Sequence, residues 1–129
     1  MRCRISVFLA ALMVAAALTL MSTAAQAQPE RKGVSYKVLA AFPSDVPGIG
    51  KLVLVELRLE PGGYMKNVTL PATGLVTAIQ GTLTVVSGGK TVIHGAGSTW
   101  VSPKGTKVSI YNNGSEPHVH HIWRLVPSK

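Results

Sequence analysis

Cysteine is almost missing from this chain. Its one occurrence in 129 residues is Cys3, ahead of an apolar run, and nothing from Gln28 onward carries a thiol. A disulfide framework, thiolate metal sites and cysteine nucleophiles are thereby excluded for residues 28–129. Acidic residues are almost as scarce: Glu30, Asp45, Glu56, Glu60 and Glu116 are the whole set. With a single aspartate, and that one in a loop, a Ser-His-Asp arrangement has one conceivable acid and no nucleophile elbow around it. Glu56 and Glu60 are expected on a solvent face, and no two carboxylates are spaced for paired acid–base work. Helical periodicity over eleven or more residues is absent from residues 28–129, as are internal repeats. No glycine loop precedes a helix to cradle a phosphate, because Gly48-Ile49-Gly50 leads into a strand.

What is present begins with a three-part leader. Met1-Arg2-Cys3-Arg4 is a basic head, Ile5 to Met21 is nearly all apolar, and Ala25-Gln26-Ala27 offers small residues for cleavage. This is the pattern of a secretory signal peptide, and the apolar run is at the short edge of what spans a bilayer. The expectation is a bacterial-type export signal cleaved after Ala27, a periplasmic or secreted protein, and no stable membrane anchor thereafter. Cys3 lies before the apolar run, so it is not the acylated cysteine of a lipoprotein. Residues 28–129 hold 11 Lys and Arg against five acids, a balance of +6. The cations are scattered singly beyond Arg31-Lys32, without a basic stripe or interleaved stacking aromatics, so nucleic acid is not the expected partner. A chain of this length builds one domain with one core.

Short apolar stretches recur every eight to twelve residues between Gly, Pro, Asn and Ser, which predicts an all-β sandwich or barrel. Val53, Val55, Leu57 and Leu59 alternate with Leu54, Glu56, Arg58 and Glu60, placing a core face on the odd numbers. Further strands are expected near 34–41, 65–70, 75–79, 82–87, 91–94, 99–102, 106–111 and 118–126. Ser87-Gly88-Gly89-Lys90 and Asn112-Asn113-Gly114-Ser115 read as hairpin turns. Pro43 to Gly50 reads as a loop, and Gln28 to Gly33 as a frayed tail. Asn67-Val68-Thr69 and Asn113-Gly114-Ser115 match the glycosylation sequon by coincidence in a bacterial-type export sequence.

Two spacings carry more information. The first opens at Gly62 and places Val68 and Leu70 after five residues, Gly74 after three more, and Gly81 after a further six. The second runs Gly97, Pro103-Lys104-Gly105, Val108 and Asn112. Their order and frame resemble the two signatures of the cupin family, a small jelly-roll β-barrel whose members often hold a metal. The resemblance spans residues 62–112 and implies a single cupin-like domain over 28–129. It also implies that Val68, Leu70, Gly74 and Val108 stand where the family's histidines and glutamate would stand. None of these four side chains has a lone pair to offer a metal.

The expectation is therefore a metal-free barrel whose centre is either filled or an apolar pocket for a small apolar or aromatic ligand. Tyr64, Met65, Trp100, His121 and Trp123 are candidate lining residues. His94 reads as a core histidine. In His118-Val119-His120-His121, residues 118 and 120 share a strand face, and the more apolar odd-numbered set is expected inside. That register puts Val108 opposite His121 and leaves His118 and His120 outside. The alternative is a divalent transition metal on His118 and His120, serving a dioxygenase- or isomerase-like enzyme, or a metal-free isomerase. By family resemblance a homodimer is expected.

Overall fold

The computed structural model describes residues 28–129, so the expected leader and its cleavage point lie outside the described residues. Eight strands follow in order: β1 (Glu30–Pro43), β2 (Ile49–Thr69), β3 (Thr73–Gln80), β4 (Thr82–Ser87), β5 (Lys90–Gly95), β6 (Thr99–Ser102), β7 (Lys107–Tyr111) and β8 (His118–Pro127). The hydrogen-bonded path is β5-β4-β7-β2-β8-β3-β6, with β1 added to β2. Every pairing is antiparallel.

β2 explains how one path becomes a curled sheet with two walls. Its first half, Ile49–Leu59, pairs with β8, whereas Tyr64–Thr69 pairs with β7. The two strands expected at 53–60 and 65–70 are thus one strand that turns a corner at Pro61-Gly62-Gly63. β1 follows it around the corner with a register shift between Lys32 and Val34. The corner is tight: a Cβ at Gly63 would sit 2.8 Å from the Glu60 carbonyl oxygen and 3.0 Å from those of Lys32 and Gly33. Only glycine lets the three backbones approach so closely.

Asn112 locks this corner from the inside and is fully buried. Its side-chain amide donates to the carbonyls of Leu59 (3.0 Å) and Glu116 (2.9 Å), while its Oδ1 accepts from Gly114 N–H at 3.0 Å. Its backbone exchanges hydrogen bonds with Gly62 and Gly63, both at 2.9 Å. A buried amide with every polar atom occupied is a structural clamp.

The odd-numbered face of β2 is the core face: Val55, Leu57 and Leu59 are at most 2% exposed. Leu57, Leu59, Met65 and Leu83 form the central cluster, with Val34, Val68, Val85, Trp100 and Ile110 packed against it. Burying each such side chain contributes about 1.5–3 kcal/mol.

Two expectations need correction. Glu30–Lys32 is not frayed but paired with Tyr64–Lys66, because an open strand edge organises a polar segment through backbone hydrogen bonds. The Ser87–Lys90 turn does close a β4–β5 hairpin. The Asn112–Ser115 turn does not close one, since β8 pairs with β2 and β3 rather than β7. It carries the chain from one wall to the other.

Candidate functional site

That last correction decides which histidines face inward. Directly opposed residues of an antiparallel pair share a face. His120 is opposite Leu57 on β2 and Ala78 on β3, and His118 is opposite Leu59. These partners are core residues, so the even-numbered side of β8 is the inner one. His118 is 0% and His120 3% exposed, against the outward placement expected from the apolar count. His121 instead faces out, with Nε2 3.0 Å from the Glu56 carboxylate. Val108 pairs with Val68, not with His121.

The walls enclose a cavity of about 440 Å³, within the range of small-molecule sites. Val68, Leu70, Gly74 and Val108 all line it. So do Met65 and Trp100, whereas Tyr64, His121 and Trp123 do not. Tyr64 packs on Tyr111 with ring centroids 6.5 Å apart, and Trp123 stacks on Phe42 at 6.3 Å. The floor is built from residues nearly sealed from solvent: Val55, Leu57, Met65, Val76, Leu83 and His120. The rim is built from accessible ones, among them Arg31, Tyr36 and Val38 from β1, with Thr69 and Pro71 at the end of β2.

Sequence reasoning missed the rim. Arg31 lies in the segment expected to fray, and Arg124 on the even-numbered side of β8, which is expected to face out. Both guanidinium groups lie over the Tyr36 ring, at 5.6 and 5.9 Å from its centroid. The Tyr36 hydroxyl donates to Met65 Sδ at 3.2 Å. Burial raises the Tyr36 pKa, opposed by the two arginines. The signal that could have found Arg124 is its position inside the apolar run Ile122 to Val126, where a long cation on the inner face marks an opening.

One wall of the pocket is aromatic and imidazole. His94 stacks on Trp100 with centroids 3.7 Å apart and planes within 9°, and Trp100 meets His120 edge-on at 6.1 Å. His118 Nε2 and His120 Nδ1 share a hydrogen bond of 2.8 Å. Burial is the main cause of lowered pKa values here: His118 falls to about 4 and His120 to about 3, each further depressed by neighbouring histidines. The Gln80 backbone pulls His118 back only in part, and His118 Nδ1 has no hydrogen bond of good geometry. Both rings are neutral at neutral pH.

The donor set does not fit a metal. Val68 and Val108 present carbon to each other across the β2–β7 pair, and Leu70 adds only carbon. A Cβ at Gly74 would lie 2.8 Å from Ile122 Cγ2, so Ile122 fills the space a longer side chain would need. The nearest nitrogens of His118 and His120 are engaged with each other in a hydrogen bond. Among the described residues no three His, Cys, Asp or Glu side chains cluster.

An antiparallel sheet curled around a ligand-sized cavity defines the chain as a jelly-roll type of β-barrel. By sequence it matches no family profile and no curated protein. The chain is similar to a cupin 2 conserved barrel domain protein from Salinispora arenicola (17% identity, TM-score 0.56, 70% of this chain and 75% of that one). It is similar also to a cupin-like protein from Thermotoga maritima (20%, TM-score 0.60, 73% and 70%). A third similar structure is the polyketide cyclase RemF from Streptomyces resistomycificus (16%, TM-score 0.61, 77% and 70%). The protein has the cupin fold. Identities this low carry the architecture and none of the chemistry.

Proposed function

We propose that this protein is an exported cupin barrel that binds a small apolar or aromatic molecule by shape, without a metal at its centre. The observation that carries the reading is the 440 Å³ cavity, whose floor is carbon and neutral imidazole. A filled, purely structural barrel would leave no such space, so a binding role is favoured over a closed core. Transfer of an apolar body into this floor supplies the driving force, at roughly 25 cal/mol per Å² removed from water.

The test uses the neutral dye N-phenylnaphthylamine and bound-metal analysis in parallel. Dye fluorescence should rise on binding to the purified protein and fall in a Val68→Trp variant that fills the cavity. After equilibration with zinc, iron, nickel or copper, bound metal should remain well below one per chain. Stoichiometric metal that disappears in His120→Ala would instead favour the enzyme reading, dioxygenase- or isomerase-like.

The reading extends to assembly as a homodimer. Trp123, Leu75 and Val101 lie directly opposite one another across β8, β3 and β6 on the outer face, and Phe42 stacks at the end of the row. They are 36%, 42%, 56% and 52% exposed, an apolar strip that a second copy would cover.

A further inference from the structure

We propose that the pocket's ligand carries an anionic head, of the carboxylate class, met at the rim by Arg31 and Arg124 while its apolar body fills the floor. The inference deepens the reading of the cavity as a binding site and rests on it.

The argument is one of unbalanced charge. The described residues include five acids, and three are engaged on the outside: Glu30 pairs with Lys66 at 3.9 Å, Glu60 with Arg58 at 2.7 Å, and Glu56 contacts the His121 ring at 3.0 Å. Asp45 lies in the β1–β2 loop and Glu116 in the β7–β8 turn, and no acidic side chain lines the cavity. Arg31 and Arg124 do line it, and neither has a carboxylate partner within 4.0 Å among the described residues. The rim therefore holds two guanidinium groups with no counter-charge, over a floor that bears none.

Their placement is held by the fold. Arg124 comes from the inner face of β8, opposite Gly74 on β3. Arg31 comes from the other side, on the β1 segment that pairs with the far end of β2. Tyr36 stands within 6 Å of both guanidinium groups, a cation–π arrangement that restrains them without neutralising them. A guanidinium matches a carboxylate with paired N–H donors, and such a bond strengthens where the apolar floor excludes water. A neutral apolar ligand would leave both cations uncompensated, whereas a dianion or a metal-bound ligand would bring charge the floor cannot solvate.

The experiment compares matched probes: decanoate against decanol, and naphthoate against methyl naphthoate, titrated by calorimetry at neutral pH and low salt. The acids should bind at least tenfold tighter than their neutral partners, with the difference shrinking at high ionic strength. Arg124→Gln and Arg31→Gln should each weaken the acids about tenfold more than they weaken the neutral probes. Arg124→Lys should restore part of the loss. Arg58→Gln, on the outer face and paired with Glu60, should change nothing, which separates a specific rim from the general positive field. Circular dichroism of each variant checks that the barrel is intact. Equal affinity for acids and neutral partners, or indifference to both rim substitutions, would overturn the anionic head and leave the apolar pocket standing. If no probe of either kind binds, nor N-phenylnaphthylamine, the pocket reading and this inference fall together.

Discussion

Asn112 is the residue on which the corner of the barrel depends. Replacing it with Ala strands the buried Leu59 carbonyl and removes the part-buried bonds to the Glu116 carbonyl and the Gly114 N–H. The expected loss is about 2–4 kcal/mol, read as a lower midpoint of urea unfolding with an unchanged slope. An unchanged midpoint would show that water or backbone movement replaces the clamp. The buried histidine pair gives a pH dependence of definite sign. His118 titrates at about 4 in the folded state against 6.5 when unfolded, so the unfolded chain binds more protons between those values. Its contribution is complete above pH 6.5 and is lost as pH falls towards 4, by about 3 kcal/mol at most. His120 acts in the same direction. Unfolding measured across that range should show the decline, and a His118→Gln variant should flatten it. A variant that declines as steeply as the parent would assign the effect to other groups.

At the scale of elements, β2 is the strand that makes the fold, since both walls hang from it. Its corner tolerates no side chain at Gly63, because the atoms in the way are backbone oxygens rather than mobile side chains. Gly63→Ala is expected to destabilise the protein by about 1–3 kcal/mol. By contrast, alanine at Gly95, which meets nothing within 4 Å and has no positive φ, should be close to neutral. Comparing the two by thermal unfolding separates a corner requirement from a general dislike of substitution. Most strands were legible from alternation alone, because β-branched runs bounded by Gly and Pro carry their own signal. The inward face of β8 was not. Its odd and even sets are both mixed, and the set holding Leu125 and Trp123 looked the more apolar. Pairing with the odd face of β2 overrode that count and turned His118, His120 and Arg124 inward.

For the whole molecule, the outer strip of Phe42, Trp123, Leu75 and Val101 bears on association. If it is a dimer face, Trp123→Lys should shift sedimentation towards a monomer while leaving the pocket's affinity for decanoate unaltered. A parent protein that stays monomeric at high concentration would count against the strip. The surviving frame of the two motifs also acquires a physical meaning at this scale. Gly81, the closing glycine of the first, has a φ of +72°, and a Cβ there would lie 2.6 Å from the Pro117 carbonyl oxygen. A glycine in that place lets two backbones cross closely, a need that does not depend on which side chains stand at the centre.

By itself the sequence determined the strand content, the core face of β2, the turn positions, and the chemical inertness of residues 68, 70, 74 and 108. Those are local matters, written in side-chain type and period. Only the tertiary structure decided that these four residues line one open cavity, that His120 lines it with His118 bonded to it, and that Arg31 and Arg124 meet over Tyr36. Each of those facts depends on which strands become neighbours. Neighbours in this fold are set by a strand that changes walls midway, an event that leaves no mark in local periodicity beyond a proline and two glycines.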